Sequence, residues 1–210
     1  MNMDQEKRKN VVGEAVNNAI KYSNDDILFE WLVKLNDFYP DDIGVLSPLF
    51  LNLVCLEPGQ AMFLGPGELH SYLNGTGIEL MANSDNVLRG GLTPKHVDVQ
   101  ELLNTLTFME KNVQILEPIP KRKHEMIYEC NADEFILSVI KCSDGSEYIS
   151  SDKRSAEIII CVDGNASVFE QDGKESLPIK KGDSVIILSS AHIYKVKGQA
   201  TLYKASTPVC

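Results

Sequence analysis

No two cysteines of this chain stand as a Cys-x-x-Cys pair. Cys55, Cys130, Cys142, Cys161 and Cys210 are scattered, which argues against a four-cysteine zinc site and fits reduced thiols in a cytoplasmic protein. There is no run of 18 apolar residues, so neither a transmembrane helix nor a membrane partner is expected. The first ten residues are charged and no apolar stretch follows them, so a secretory signal is not expected. Basic residues are the minority: 20 Lys and Arg against 30 Asp and Glu give a net charge of −10, and no basic run is longer than three residues, as in Lys121-Arg122-Lys123. Binding of DNA or RNA rests on phosphate neutralisation, so this balance argues against a nucleic-acid partner. A small anion needs only a few local basic groups and is not excluded. Histidine is scarce as well: four are present, and His70 is the first.

The remainder is the composition of an ordinary folded chain, with 43% hydrophobic and 24% charged residues over 210 positions. Residues 1–39 read as helical. Asp4 to Tyr22 lacks proline, and Ser23-Asn24-Asp25-Asp26 supplies a stop and a new N-cap. Ile27, Leu28, Trp31, Leu32, Leu35 and Phe38 then recur at helical spacing, which predicts a core-packing stripe, and Pro40 ends the helix. Residues 40–117 change texture. Apolar runs at Phe50–Leu56 and Ala61–Leu64 alternate with Glu57-Pro58-Gly59 and Gly65-Pro66-Gly67, predicting strands and turns. One short helix is expected near 99–106, where Asp98 and Glu101 form a capping box.

Residues 118–210 begin with a basic, proline-containing link and then read as strands: 135–140, 157–162, 167–170, 184–188 and 193–196. Turns are predicted at Asp163-Gly164, Asp172-Gly173, Lys181-Gly182-Asp183 and Lys197-Gly198. This spacing suggests an antiparallel barrel or jelly roll. The two β regions resemble one another faintly, Glu57 to His70 against Ile179 to His192. His192 falls one position short of the place matching His70, and the C-terminal region is read as metal-free; His124 is read as a surface residue of the link.

Gly59 to Asn74, GQAMFLGPGELHSYLN, resembles the second conserved motif of the cupin fold, with Gly59, Gly67, His70 and Asn74 in place and Gly65 where proline is usual. His70 to Lys95, HSYLNGTGIELMANSDNVLRGGLTPK, resembles the signature of type I phosphomannose isomerases. That resemblance runs through His70, Tyr72, Glu79, Asp85, Arg89 and Thr93-Pro94-Lys95. Ser71 and Gly90 depart from the family's usual alanines. It implies a mainly β chain: cupin-type jelly-roll barrels, one partial and one nearly complete, preceded by the N-terminal helical segment.

The resemblance also implies an activity, the zinc-assisted interconversion of mannose 6-phosphate and fructose 6-phosphate. His70 would be one of four ligands to a single Zn2+ ion. Arg89 would stabilise the anionic enediolate or hold phosphate, Asp85 and Glu79 would serve proton transfer or orient Arg89, Tyr72 would line the pocket, and Lys95 would sit on the phosphate side. The family's other ligands, a Gln and a His one residue apart and a Glu further on, have no counterpart here, because no Gln-x-His pair occurs. Three expectations stay open on that ground: a shortened chain, an N-terminal partner chain or self-association, or a non-catalytic cupin that binds sugar phosphate.

Overall fold

The computed structural model describes residues 3–84, 87–143, 145–170 and 175–209. They fall into two compact units, one of Met1–Cys55, Leu64–Gly75 and Asp85–Val113, the other of Leu56–Phe63, Thr76–Ser84 and Gln114–Cys210.

The first unit is built on helices. Asp4 caps α1 (Gln5–Ala19) by accepting the Lys7 N–H at 2.8 Å, and Asp26 caps α2 (Ile27–Phe38) by accepting the Leu28 N–H at 2.9 Å. Val12, Val16 and Ala19 lie on one side of α1, three and four residues apart, and bury against Leu32 and Leu35 of α2. The stripe predicted for α2 is narrower than expected. Its terminal residues Ile27 and Phe38 are 53% and 76% exposed, and Trp31 is half-buried beneath the Lys34 ammonium, 5.1 Å from its ring. A 3₁₀ helix, Ile43–Leu49, closes the cluster with Val45 and Leu46. The short helix anticipated near 99–106 is α3 (Val99–Thr105), whose cap Asp98 accepts the Glu101 N–H at 3.0 Å. Leu102 is its buried residue, while Leu103 faces outward at 42% exposure.

Residues 40–117 hold far less strand than the expected partial barrel requires. Among the described residues the only ladder there is β1 (Ala61–Met62) with β2 (Ile115–Leu116), in the second unit. The physical reason is pairing. Extended backbone becomes a strand only where a neighbour takes its N–H and C=O groups; among the described residues here Ala61–Met62 finds one in Ile115–Leu116, while the segments flanking Gly67 join no ladder.

Besides that pair, the second unit holds an eight-stranded antiparallel sheet among its described residues. It comprises β3 (Ile119–Arg122), β4 (Glu125–Tyr128), β5 (Ile136–Cys142), β6 (Glu147–Ile149), β7 (Glu157–Glu170), β8 (Ser176–Lys180), β9 (Ser184–Ile187) and β10 (Tyr194–Ser206). The order is β3-β4-β5-β10-β7-β8, with β6 beside β10 and β9 beside β7. The stretch read as a link is therefore the β3–β4 hairpin. Pro120 is tolerated there because β3 is the sheet edge. His124, expected on the surface, sits at the hairpin turn with φ 67° and its Nε2 buried.

Asp163-Gly164 and Lys197-Gly198 are not turns. Both lie inside the long antiparallel pair β7–β10, which runs from Tyr194 opposite Glu170 to Ser206 opposite Glu157, with a register shift where Thr201 faces Asp163 and Leu202 faces Cys161. The glycines serve close approach instead. A Cβ on Gly164, at φ 73°, would overlap the Gln199 carbonyl oxygen, and one on Gly198 would stand 2.5 Å from that of Asn165.

The interior combines apolar residues such as Ile140, Ile159, Val196 and Leu202 with a buried ionic group. The Lys204 ammonium lies 2.8 Å from Glu125 Oε1, 3.2 Å from Glu157 Oε1 and 3.0 Å from the Tyr148 hydroxyl. Tyr148 donates to Glu125 at 3.1 Å and Tyr194 to Glu157 at 2.7 Å, while Arg122 Nε stands 3.0 Å from Glu125. Burial raises the Glu125 carboxyl, but Lys204 with Ser138 and Tyr148 outweighs it and holds the group below its ordinary value. Burial alone would lower Lys204; Tyr148, Glu125 and Glu157 hold it above its ordinary value instead.

The two shifts set a pH window. A lowered Glu125 stabilises the fold above its unfolded value near 4.5, and that contribution is lost as acid protonates it. A raised Lys204 stabilises below its unfolded value near 10.5 and loses this in alkali. Lys204→Met strands two buried carboxylates and is expected to cost about 3–5 kcal/mol, read by urea unfolding at neutral pH. Lowering the pH toward 4 should shrink the deficit of the variant; a deficit unchanged with pH would show that the charges are not what the lysine supports.

Candidate functional site

The residues singled out by the signature are held in the first unit by a few specific contacts. Gly67 takes φ 77°, and a Cβ there would stand 2.7 Å from the Thr105 carbonyl oxygen. Its own carbonyl accepts the Thr107 N–H at 3.0 Å and the Thr107 hydroxyl at 3.2 Å. One residue on, the Glu68 carboxylate pairs with Lys111 at 2.5 Å, and the Lys111 hydrogen bond holds its carboxyl below the usual range against a small opposing effect of burial.

This turn fixes His70. The imidazole Nδ1 lies 2.9 Å from the Glu68 carbonyl oxygen. A carbonyl only accepts, so Nδ1 is the donor in this contact, which in a neutral ring leaves the Nε2 lone pair to a metal. His70 is exposed and lies in no strand, unlike the inward-facing strand histidine that the cupin motif implies. The Tyr72 ring stands edge-on to it, with centroids 6.4 Å apart.

Arg89 reaches the same neighbourhood through its chain neighbour. A Cβ on Gly90 would stand 2.5 Å from Leu69 Cδ1, so the 89–91 segment runs against the residue before His70. The substitution of glycine for the family's usual alanine is thus a close-packing position. Gly91, at φ 114°, and Leu92 are then strapped to the helices: the Leu92 N–H donates to Asp42 Oδ2 at 3.0 Å, while Asp42 Oδ1 caps Gly44 at 2.7 Å. Leu73 and Leu92 both pack on the helical core.

The structure therefore brings His70, Tyr72 and Arg89 onto adjacent segments of one unit. Lys95 follows three residues after Leu92, exposed, its N–H on the Thr93 hydroxyl at 3.2 Å. Glu79 belongs to the second unit and is exposed. Asp85 lies outside the described residues. Within the described residues, Arg89 and Glu79 make no side-chain ion pair or hydrogen bond.

The residues that do the positioning, Asp42, Glu68 and Lys111, escaped the sequence reading. Asp42 two places before Gly44 is a local capping signal that could have been found. The Glu68–Lys111 pair spans 43 positions and carries no local signal. As for zinc, the described residues contain no group of three or more His, Cys, Asp or Glu that could hold a metal. One imidazole does not fit a catalytic zinc, which keeps three protein ligands.

The chain holds an antiparallel β unit and a helical one, and comparison with known proteins assigns it to a cupin-bearing class. Residues 126–206 match the family model for the mannose-6-phosphate isomerase cupin domain, and residues 1–51 match that for the phosphomannose isomerase type I helical insertion domain. Mannose-6-phosphate isomerase of Escherichia coli (strain K12) is 41% identical over 170 residues, which is 80% of this chain and 42% of that protein. A probable mannose-6-phosphate isomerase of Caenorhabditis elegans is 34% identical over 87% of this chain and 44% of its own length.

A crystal structure of the Salmonella typhimurium mannose 6-phosphate isomerase, bound to fructose 6-phosphate and zinc, matches 99% of this chain and 52% of its own with a TM-score of 0.83 at 32% identity. The chain belongs to the type I phosphomannose isomerase family and is a homologue of mannose-6-phosphate isomerase. It spans about half the length of the relatives it matches.

Asp42→Ala removes the acceptor of two backbone N–H groups. The expected loss is about 1–3 kcal/mol in the helical unit, with hydrogen exchange at Leu92 accelerating alongside that of Gly44. Acceleration at Gly44 alone would show that the strap to Leu92 is not carried by this carboxylate.

Proposed function

We propose that this chain is the portion of a mannose-6-phosphate isomerase that carries one wall of the sugar-phosphate pocket, completed by residues outside this sequence. The observation that carries the reading is the junction of His70 and Arg89: an imidazole with its Nε2 lone pair presented, on a segment packed against the one bearing a guanidinium. That junction sits in a chain superposing on the Salmonella enzyme that holds fructose 6-phosphate and zinc. The site lies in the partial cupin barrel, and the C-terminal sheet is the more nearly complete second one. The four described cysteines, all free thiols, suit a cytoplasmic enzyme.

The reaction moves a proton between C1 and C2 of the open-chain sugar phosphate through an enediolate. The Arg89 guanidinium can pair two N–H groups with the enediolate or phosphate oxygens. No described side chain competes for it. Lys95 adds a point charge for phosphate, and Tyr72 a ring that lines the pocket. Asp85 is the carboxylate for proton transfer or for orienting Arg89. His70 is this chain's single contribution to a zinc site, whose other ligands lie elsewhere.

The test is zinc content and isomerase turnover, measured on the chain alone and after co-expression with the part of the Escherichia coli enzyme that it does not match. The chain alone should hold well under one zinc and show no turnover; the pair should recover both. In that pair Arg89→Ala should lower kcat/KM by about 10²–10³-fold. Recovered zinc and binding of fructose 6-phosphate without turnover would instead make this a non-catalytic sugar-phosphate module.

A further inference from the structure

In the first unit, three segments lie side by side. Thr107 donates to the Gly67 carbonyl from its N–H at 3.0 Å, Lys111 pairs with Glu68 at 2.5 Å, and the Asn52 amide donates to the Lys111 carbonyl at 3.0 Å. These contacts gather 50–52, 67–69 and 107–111 into one locality, and what they leave outward is apolar. Phe50 is 76% exposed, Phe108 74% and Met109 82%, with Leu51 and Leu69 each at 37%. Large apolar side chains gathered in this way mark a contact surface. The backbone agrees: residues 52–57 and 108–113 join no β-ladder with any described residue. Unpaired edges of this kind are templates for another strand.

The geometry points to this face as the docking surface for a polypeptide equivalent to the part of the family's length that this sequence does not span. It binds by adding strands to the edges at 52–57 and 108–113 and by covering Phe50, Phe108 and Met109. The identity of the occupant follows from three facts. More than half of the Escherichia coli relative lies outside the match. The bare edge at 108–113 and the exposed Phe50, Phe108 and Met109 lie in the unit of the His70 turn, whereas the strands of the eight-stranded sheet pair with one another. And His70 is a lone metal-competent imidazole on the same turn that holds the patch together. The inference rests on the reading that the site is completed from outside this sequence, and it names the surface on which completion occurs.

The experiment co-expresses the 210-residue chain with the unmatched portion of the Escherichia coli enzyme as a separate polypeptide. It reads co-elution, affinity, and hydrogen exchange by mass spectrometry. Association should protect 52–57 and 108–113, and Phe50→Asp with Phe108→Asp should weaken it by at least about tenfold. Ile186→Asp, an equally exposed apolar position on β9, should leave it unchanged. Exchange of α1 and α2 in the isolated variants confirms that they fold. Association undiminished by the double variant overturns the proposal. So does the absence of any complex, or protection of the two segments that grows with the concentration of the chain alone, which would make a second copy the occupant. A complex sensitive to Phe50 and Phe108 but devoid of turnover would sink the isomerase reading and leave the docking surface standing.

Discussion

Backbone pairing is the constraint on which everything else in this chain depends. Each residue but proline brings an N–H and a C=O that need partners once water is excluded. The second unit meets that demand internally. β10 runs with β7 along one edge and with β5 and β6 along the other, while β7 takes β8 and β9 on its far side. Glycines at 164 and 198 let the two long strands approach where side chains would collide. In the first unit, helices satisfy themselves within α1 and α2, and the extended segments that follow them in the chain are steadied by side-chain carboxylates and single backbone contacts.

That contrast sets the character of the site. His70 and Arg89 are placed by a turn, a carbonyl and a strap rather than by a sheet. Glu68 orients the imidazole through its main-chain oxygen and anchors the turn through its side chain. Asp42 secures Leu92, and a close glycine contact brings the arginine segment to Leu69. Such a wall presents chemical groups in usable orientations without enclosing them, which suits one half of a pocket.

The helices were legible because local rules decide them: Asp4, Asp26 and Asp98 all cap as their positions suggest, and Leu32, Leu35 and Leu102 bury as the spacing requires. The eight-stranded sheet was legible in outline for a similar reason, since apolar alternation marks its strands. Its two long members were read as three shorter pieces, because Asp-Gly and Lys-Gly are turn signals by composition and here answer to inter-strand crowding. The ionic interior was overlooked, although Glu157 is in phase with Ile159 and Cys161, and Lys204 with Ala200 and Leu202. The signature itself, His70 to Lys95, was readable as a family resemblance. Of the structural residues behind it only the local cap of Asp42 on Gly44 had a readable signal, since its strap to Leu92 and the Glu68–Lys111 pair join positions tens of residues apart.

The double acceptance by Asp42 bears on modularity. The helical insertion match ends at residue 51 and the cupin match begins at 126, so the family is divisible on paper into exchangeable blocks. Yet a carboxylate inside the first block holds the backbone at Leu92, which belongs to neither, and Leu73 and Leu92 share the helices' own core. The insertion is therefore a splint for the arginine segment. Excising it or grafting another in its place would release the very stretch that carries Arg89, and lineages that vary the helices must keep this one acidic foothold or replace it.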